Sequence, residues 1–318
     1  MTNKTIPIFF SIDDSYAPFL SVALKSAIDN SKLENNYRAI IMFESLSQDN
    51  RERLGGLATD NFKIDFVEMN EGLETITDRL SNRIRSEYFT LTIYFRLFIA
   101  SMFPEYDKAI YIDSDIILEE DIAELFSIDI GDNFIGACRD ASIDGIEPFQ
   151  SYVEQVVGVD RNDYVNSGVL LMNLKKLRDA DFDKHFLFLL NTYHFDSVAP
   201  DQDYLNAICK GSIYYLSPKW NAMPNEQKPK IEGAKLIHYN LFSKPWCYDG
   251  LQYGERFWHY AENSGYINEI REFKNNFTEE NQKEEMEVLG NMLRRAEEIK
   301  GHDITLKKVG ESGVKVRL

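Results

Sequence analysis

Lys108–Glu120 reads KAIYIDSDIILEE, and the rest of the chain can be read outward from it. Ala109, Ile110, Tyr111 and Ile112 run into Asp113-Ser114-Asp115, and the apolar run Ile116–Leu118 follows. Short β-rich apolar runs on both sides predict a buried strand with two carboxylates at its end. Two ionised aspartates held together in an apolar setting are unfavourable unless a positive group lies between them. A hard divalent cation such as Mg²⁺ or Mn²⁺ is the simplest partner for carboxylate oxygens. The plainer alternative is a strand followed by a polar turn, with Asp115 capping the next segment. On these residues alone both readings stand.

Towards the N-terminus the pattern alternates. Ile6–Ile12 has strand composition, and Tyr16–Asn30 places Phe19, Leu20, Ala23, Leu24 and Ala27 at helical spacing. Tyr37–Glu44 is a second strand and Ser47–Leu57 a second helix ending at Gly55-Gly56, with Asn61–Val67 a third strand. This β-α-β-α-β order predicts parallel strands joined by right-handed crossovers, the doubly wound α/β class. Ligands of such folds bind at the carboxyl ends of strands, so Asp13-Asp14 and Asp113–Asp115 should be neighbours. Glu71–Arg85 gives no clear assignment.

On the C-terminal side, Thr90–Met102 predicts a largely apolar helix containing Arg96. That arginine either snorkels to the surface or reaches a buried anion, and from the helix pattern snorkelling is the simpler reading. Asn133–Cys138 is a strand ending in Arg139-Asp140, and Tyr164–Asn173 a buried strand opened by Asn166. Ala199–Cys209 is a helix that starts with Pro200-Asp201-Gln202-Asp203. Lys235–Tyr239 is a short strand containing His238, and Lys244-Pro245-Trp246 comes soon after. A lone histidine in an apolar strand is ordinarily a satisfied core residue. From Arg256 onward the chain turns helical, with Met286, Leu289, Leu293, Ala296 and Ile299 as a stripe. Ile304–Leu318, Lys-rich and Gly-interrupted, is expected to be loosely ordered.

With 318 residues, 44% hydrophobic and 13% aromatic, the chain can build a substantial core. Its 35 basic and 52 acidic residues give a net charge of −17, which argues against a broad nucleic-acid surface. Cys138, Cys209 and Cys247 are too scattered for a zinc site or a disulfide framework, as expected in a reducing compartment. Ile6–Ile12 is too short for a signal peptide, and no apolar stretch spans a bilayer. A soluble, cytoplasmic protein is the expectation.

Taken together and in this order, the motifs from Ile6 to Trp246 resemble glycosyltransferase family 8, which includes bacterial lipopolysaccharide galactosyl- and glucosyltransferases and glycogenin. The resemblance implies a Rossmann-like single domain of the glycosyltransferase-A type, with a mostly parallel central sheet and a C-terminal helical appendage. Residues 1–260 would form the nucleotide-sugar-binding catalytic domain and 261–318 the helical extension. The implied reaction moves glucose or galactose from UDP-glucose or UDP-galactose, with retention, to a glycan, lipid-linked or protein acceptor in cell-surface polysaccharide synthesis. Asp113, Asp115 and His238 would hold Mn²⁺ (or Mg²⁺), which turns the core reading of His238 around. Asp13 would bond the uracil and Tyr16 stack on it, with Ser11 on the same turn and Ser114 between the two metal aspartates. Lys244 would pair with the diphosphate, and Arg96 matches a buried arginine near the donor. Asn166, Asp140, Asp201 and Gln202 would face the transferred sugar, Gln202 beside the anomeric carbon. A glutamine is a poor nucleophile, which favours front-face attack, with its carbonyl stabilising an oxocarbenium-like transition state.

One position departs from the family. Leu241 stands where the best-known bacterial members carry a glycine whose backbone approaches the phosphate. The tail also lacks a strongly basic membrane-docking segment, which weakens the case for peripheral association with the inner membrane face. The main rival is a haloacid-dehalogenase-type phosphatase, which also sets Asp-X-Asp after an apolar strand. Its motif normally follows the first core strand, whereas three strands precede Asp113 here. A sugar-phosphate nucleotidyltransferase would want a Gly-rich basic loop after the first strand, where this chain has Asp13-Asp14.

Overall fold

The computed structural model describes residues 5–69 and 91–318. Strand β1 (Thr5–Ile12) is buried along nearly all its length, as a strand covered on both faces must be. Helix α1 (Ala17–Asp29), with a proline in its first turn, leads to β2 (Asn36–Phe43), parallel to β1. Helix α2 (Gln48–Gly55) starts where Ser47 Oγ accepts from the Asn50 N–H, and β3 (Phe62–Glu68) runs parallel to β2. The unassigned stretch Glu71–Arg85 lies outside the described residues.

The single helix expected over Thr90–Met102 is instead a 3-10 segment, Leu91–Leu97, followed by a short α3 (Ile99–Met102). Thr92 and Tyr94–Ala100 are all buried, so tertiary packing, not an amphipathic period, sets the winding of this stretch. Arg96 is 5% exposed and does not snorkel; the anions it reaches are described below.

Strand β4 (Ala109–Ile112) pairs in parallel with β1, Phe9 opposite Tyr111. The Asp13 and Asp113 turns therefore leave the sheet side by side, as the alternation predicted. The chain then switches sheets. β5 (Ile116–Leu118) pairs with a later strand away from the main sheet, and α4 (Ile122–Ser127) is capped by Asp121, not by Asp115.

β6 (Ile135–Arg139) and the short α5 (Glu147–Tyr152) precede β7 (Val165–Met172). β7 runs antiparallel to both β4 and β6, and these are the exceptions in the mostly parallel sheet that was expected. Every residue of β7 is buried, and a strand buried on both faces carries no sequence mark of its direction. Helices α6 (Leu174–Asp179), α7 (Phe182–Tyr193) and α8 (Pro200–Ile208) follow, and β8 (Ile213–Tyr215) closes the edge parallel to β6. The main sheet runs β3-β2-β1-β4-β7-β6-β8, a mostly parallel α/β arrangement with helices on its faces. β9 (Leu236–His238) is the antiparallel partner of β5.

α9 (Gly254–Ala261), α10 (Ile267–Asn276), α11 (Glu279–Ile299) and α12 (Leu306–Glu311) finish the chain. The tail Ile304–Leu318 is not loose. Leu306, Val309 and Val316 join the core that holds Val153 and Ile208, and the Leu318 N–H donates to the Ile208 carbonyl at 3.0 Å. Its buried apolar residues offset the ordering entropy that its Lys-rich composition suggested would prevail. Of the α11 stripe, Ala296 and Ile299 are buried, while Met286 is 67% exposed. No helix among the described residues is long and apolar enough to cross a membrane.

Candidate active site

The switch from β4 to β5 builds the site. Asp113 directly follows β4, and Ile116 of β5 lies opposite His238 of β9, while the Tyr239 N–H donates to the Asp115 carbonyl at 2.9 Å. This register brings His238, far away in sequence, against the Asp-Ser-Asp turn. His238 Nε2 lies 3.2 Å from Asp115 Oδ1 and 3.7 Å from Asp113 Oδ2. The other ring nitrogen, Nδ1, donates to Asn221 Oδ1 at 2.9 Å. With its proton on Nδ1, the Nε2 lone pair points at the carboxylates, the tautomer and orientation of a metal-ligating histidine.

His238 Nε2 and Asp115 Oδ1 are also buried without a hydrogen-bond partner. Buried polar atoms are normally paired, so two orphans facing each other beside a second carboxylate ask for a cation. One ligand atom from each of Asp113, Asp115 and His238 lies within 4.8 Å of the other two, and this is the metal-capable cluster found among the described residues. A set of two carboxylates and an imidazole fits Mn²⁺.

Gly168 of β7 makes room for the cluster. A Cβ there would sit 2.4 Å from His238 Cε1 and 2.6 Å from Asp113 Oδ2. Its own carbonyl accepts from the Asp113 N–H at 2.8 Å. A glycine inside an otherwise apolar strand was the available signal for this close approach, and sequence reasoning passed it over. Asn221, which sets the histidine tautomer, carried no signal of comparable strength.

Arg96 ties the metal side to a second group of residues. Its guanidinium donates to Asp113 Oδ1 at 2.9 Å and to the Ser167 carbonyl at 2.7 Å, pairs with Asp201 Oδ2 at 3.3 Å, and lies over the Tyr111 ring. Burial works against its charge, but Asp113, Tyr111 and Asp201 hold its pKa above the ordinary arginine value. Asp201 also accepts from Ser167 Oγ at 2.9 Å. Gln202 Oε1 accepts from the Ser167 N–H at 2.9 Å while its Nε2 donates to Asp140 Oδ2 at 2.8 Å. A backbone donor at one end and a carboxylate at the other leave one orientation for this amide. Asn166 Oδ1 accepts from Asn221 Nδ2 and from the Gly168 N–H, both at 3.0 Å. Asp113, Arg96, Asp201, Ser167, Gln202 and Asp140 thus form one continuous hydrogen-bonded chain, lining with Asn166 a cavity of about 130 Å³. Asp203 lies outside it, its carboxylate accepting from Tyr152 and Tyr164 hydroxyls, each at 2.6 Å.

Two more hollows adjoin the metal cluster. One, about 180 Å³, is lined by Ser11, Asp13, Tyr16, Arg96, Ser114 and Asp115. Asp13 caps the turn that carries Tyr16, accepting from the Tyr16 N–H at 3.2 Å. The other, about 330 Å³, reaches from Tyr16 past Lys244 and Trp246 to Met292. Lys244 is buried, ion-paired with Asp115 Oδ2 and donating to the Tyr239 carbonyl at 2.7 Å. Burial alone would raise the Asp115 pKa, but the charge set against it, led by the Lys244 ammonium, outweighs it and holds the carboxyl well below its usual range. Trp246 stacks on Phe19 at 4.1 Å and so anchors the Lys-Pro-Trp segment to α1. Every residue expected at the site lies in or against this one cleft.

Leu241 lines both the 130 Å³ and the 330 Å³ hollows and has φ of 53°. Its backbone therefore takes the left-handed path that glycine adopts freely, at a cost of ~1–2 kcal/mol for an L-residue. Leu241→Gly is expected to leave the fold intact and shift unfolding free energy by less than about 1 kcal/mol, strain relief being offset by glycine's greater chain entropy. Urea unfolding checks it; a loss above about 2 kcal/mol would show that the leucine side chain, not the backbone, holds this turn.

The pattern of glycosyl transferase family 8 matches residues 7–250. A Haemophilus influenzae protein described as a glycosyltransferase is 30% identical over 226 residues, covering 71% of this chain and 66% of its own. The lipopolysaccharide 1,2-glucosyltransferase of Escherichia coli K12 is 24% identical, with 77% of this chain and 74% of that protein covered. Among solved structures, the bifunctional glycosyltransferase WbbM superposes with a TM-score of 0.75 at 22% identity, over 86% of this chain and 52% of its own. The galactosyltransferase LgtC, solved with donor and acceptor sugar analogues, gives 0.66 at 25% identity over 81% and 96%. The chain thus spans about two thirds of the Haemophilus protein and about half of WbbM.

Proposed function

This chain belongs to glycosyl transferase family 8, and from that premise we propose that it is a retaining hexosyltransferase taking glucose or galactose from a UDP-sugar with the help of Mn²⁺ or Mg²⁺. The observation that carries the reading is the facing pair of orphaned ligand atoms, His238 Nε2 and Asp115 Oδ1, in one cleft with the Arg96–Asp201–Gln202 chain. In this reading residues 1–260 form the catalytic domain and 261–318 a helical extension over the cleft. The acceptor is a glycan, lipid-linked or protein hydroxyl, met in the cytoplasm.

The residues divide the work by position. Asp13 and Tyr16 hold the uracil, with Ser11 and Ser114 lining the same hollow. A rigid aromatic face loses little entropy when a base stacks on it. A divalent ion held by Asp113, Asp115 and His238 would supply neutralisation of the diphosphate as it leaves. Lys244, ion-paired with Asp115, adds a second positive charge beside the metal cluster. On the sugar side, Asp140, Asp201 and Asn166 bond hydroxyls. Donation from Gln202 Nε2 to the Asp140 carboxylate pushes electron density towards Oε1, and the Ser167 N–H fixes that oxygen in place. A fixed amide dipole, its oxygen turned to where positive charge develops, suits front-face attack better than nucleophilic displacement. A phosphatase reading would need a free aspartate nucleophile, yet Asp113 Oδ1 is bonded by both Arg96 and the Tyr111 hydroxyl.

The expected result is Mn²⁺-dependent release of UDP from UDP-glucose or UDP-galactose, lost in EDTA. His238→Ala should remove most of the thermal stabilisation that Mn²⁺ and UDP together confer. Phosphate release from sugar phosphates, or full activity in EDTA, would sink the reading. An unaltered Mn²⁺ response in the His238 variant returns that residue to the core.

A further inference from the structure

The cleft does not end at Lys244 and Trp246. Its far wall is made by α10 and α11, outside the segment matched to the family. Phe273, Phe277 and Glu285 line the cleft and also a further hollow of about 380 Å³, which Asn276, Asn281 and Glu284 complete. On its cleft side α11 presents Glu285, Val288 and Met292, spaced by three and four residues and so on one helix face. Met292 also lines the cavity of Asp140 and Gln202. The seven steps from Glu285 to Met292 span ~10 Å of helix at 1.5 Å per residue. One continuous wall therefore runs from the expected sugar pocket to the outer hollow.

The lining of that hollow has the chemistry of saccharide recognition. Phe273 is 45% exposed there and meets Phe19 only edge-on, at 5.5 Å and 87°. An open aromatic face accepts the apolar C–H face of a pyranose, and nearby amides and carboxylates take its hydroxyls. Glu285 uses one carboxylate oxygen for the Tyr248 hydroxyl at 2.5 Å, which holds α11 against the Lys-Pro-Trp segment. Glu284 and Glu285 together repel an anionic sugar.

We propose that this hollow is a distal subsite for a neutral acceptor glycan, holding a sugar further along the chain from the one that receives the hexose. The proposal rests on the hexosyltransferase reading, but its test needs neither donor nor metal. Saturation-transfer NMR on the full chain with lactose, maltose and cellobiose is expected to show binding of at least one. Phe273→Ala should weaken that binding by tenfold or more and Glu284→Gln severalfold. Thermal unfolding of each variant confirms that it is folded, and Glu284→Gln carries the test should Phe273→Ala fail to fold. No binding by any of the three sugars, equal binding by the folded variants, or binding of galacturonic acid in preference to them would overturn it. Turnover of UDP-sugars by the unaltered protein reports separately on the reading beneath.

Discussion

Asp115→Asn is expected to reduce UDP release from the donor on the order of 10³-fold, the scale of losing both a metal ligand and the charge set against the leaving group. Asn keeps the size and shape of the side chain, so the loss would come from charge. Two effects combine at this position. Asp115 Oδ1 faces His238 Nε2, and Oδ2 is the ion-pair partner of Lys244. Removing the carboxylate leaves the buried Lys244 with the Tyr239 carbonyl as its remaining polar contact among those described above. Breaking a buried ion pair from one side typically costs ~3–5 kcal/mol, so lower stability without metal should accompany the loss of turnover. Chemical denaturation and a coupled UDP assay measure the two separately. If the variant turns over within tenfold of the unaltered protein, Asp115 is not part of the catalytic cleft.

Gly168→Ala should be nearly as damaging, although glycine carries no functional group. Its Cβ would meet His238 Cε1 at 2.4 Å and Asp113 Oδ2 at 2.6 Å, too close for either to stay in place. β7 is paired on both sides, so the strand cannot yield easily and the ligands must. A misplacement near 1 Å costs about 10²-fold in rate, and overpacking costs ~1–3 kcal/mol in stability. The expected variant is therefore folded, slow, and little stabilised by Mn²⁺ in thermal unfolding. Full activity would mean that the ligand cluster is looser than its packing against β7 implies.

Legibility in the sequence followed the range of each interaction. The β1–β3 alternation and the Asp-Ser-Asp turn rest on local period and local charge, and both were readable. Arg96 was read the wrong way from its own helix, because the anions it meets, Asp113 and Asp201, come from different elements. The direction of β7 was not legible, and the order in the C-terminal tail was misread, for related reasons. A fully buried strand shows no polarity of direction, and a Lys-rich segment hides the few apolar residues that dock it. Met292 stands outside the apolar stripe that ends in Ala296 and Ile299, and the cleft takes the face bearing Val288 and Met292.

By itself the sequence determined which chemical groups are available: a paired carboxylate turn after an apolar strand, a late histidine, a lysine, and an amide among aspartates. Only the tertiary structure decided that these groups meet. The antiparallel pairing of β5 with β9 turns His238 towards Asp115, and the bare backbone of Gly168 lets Asp113 and the imidazole approach. The physical reason is that side-chain chemistry is written residue by residue. The register between distant strands is set by packing across the whole core, which no single segment records.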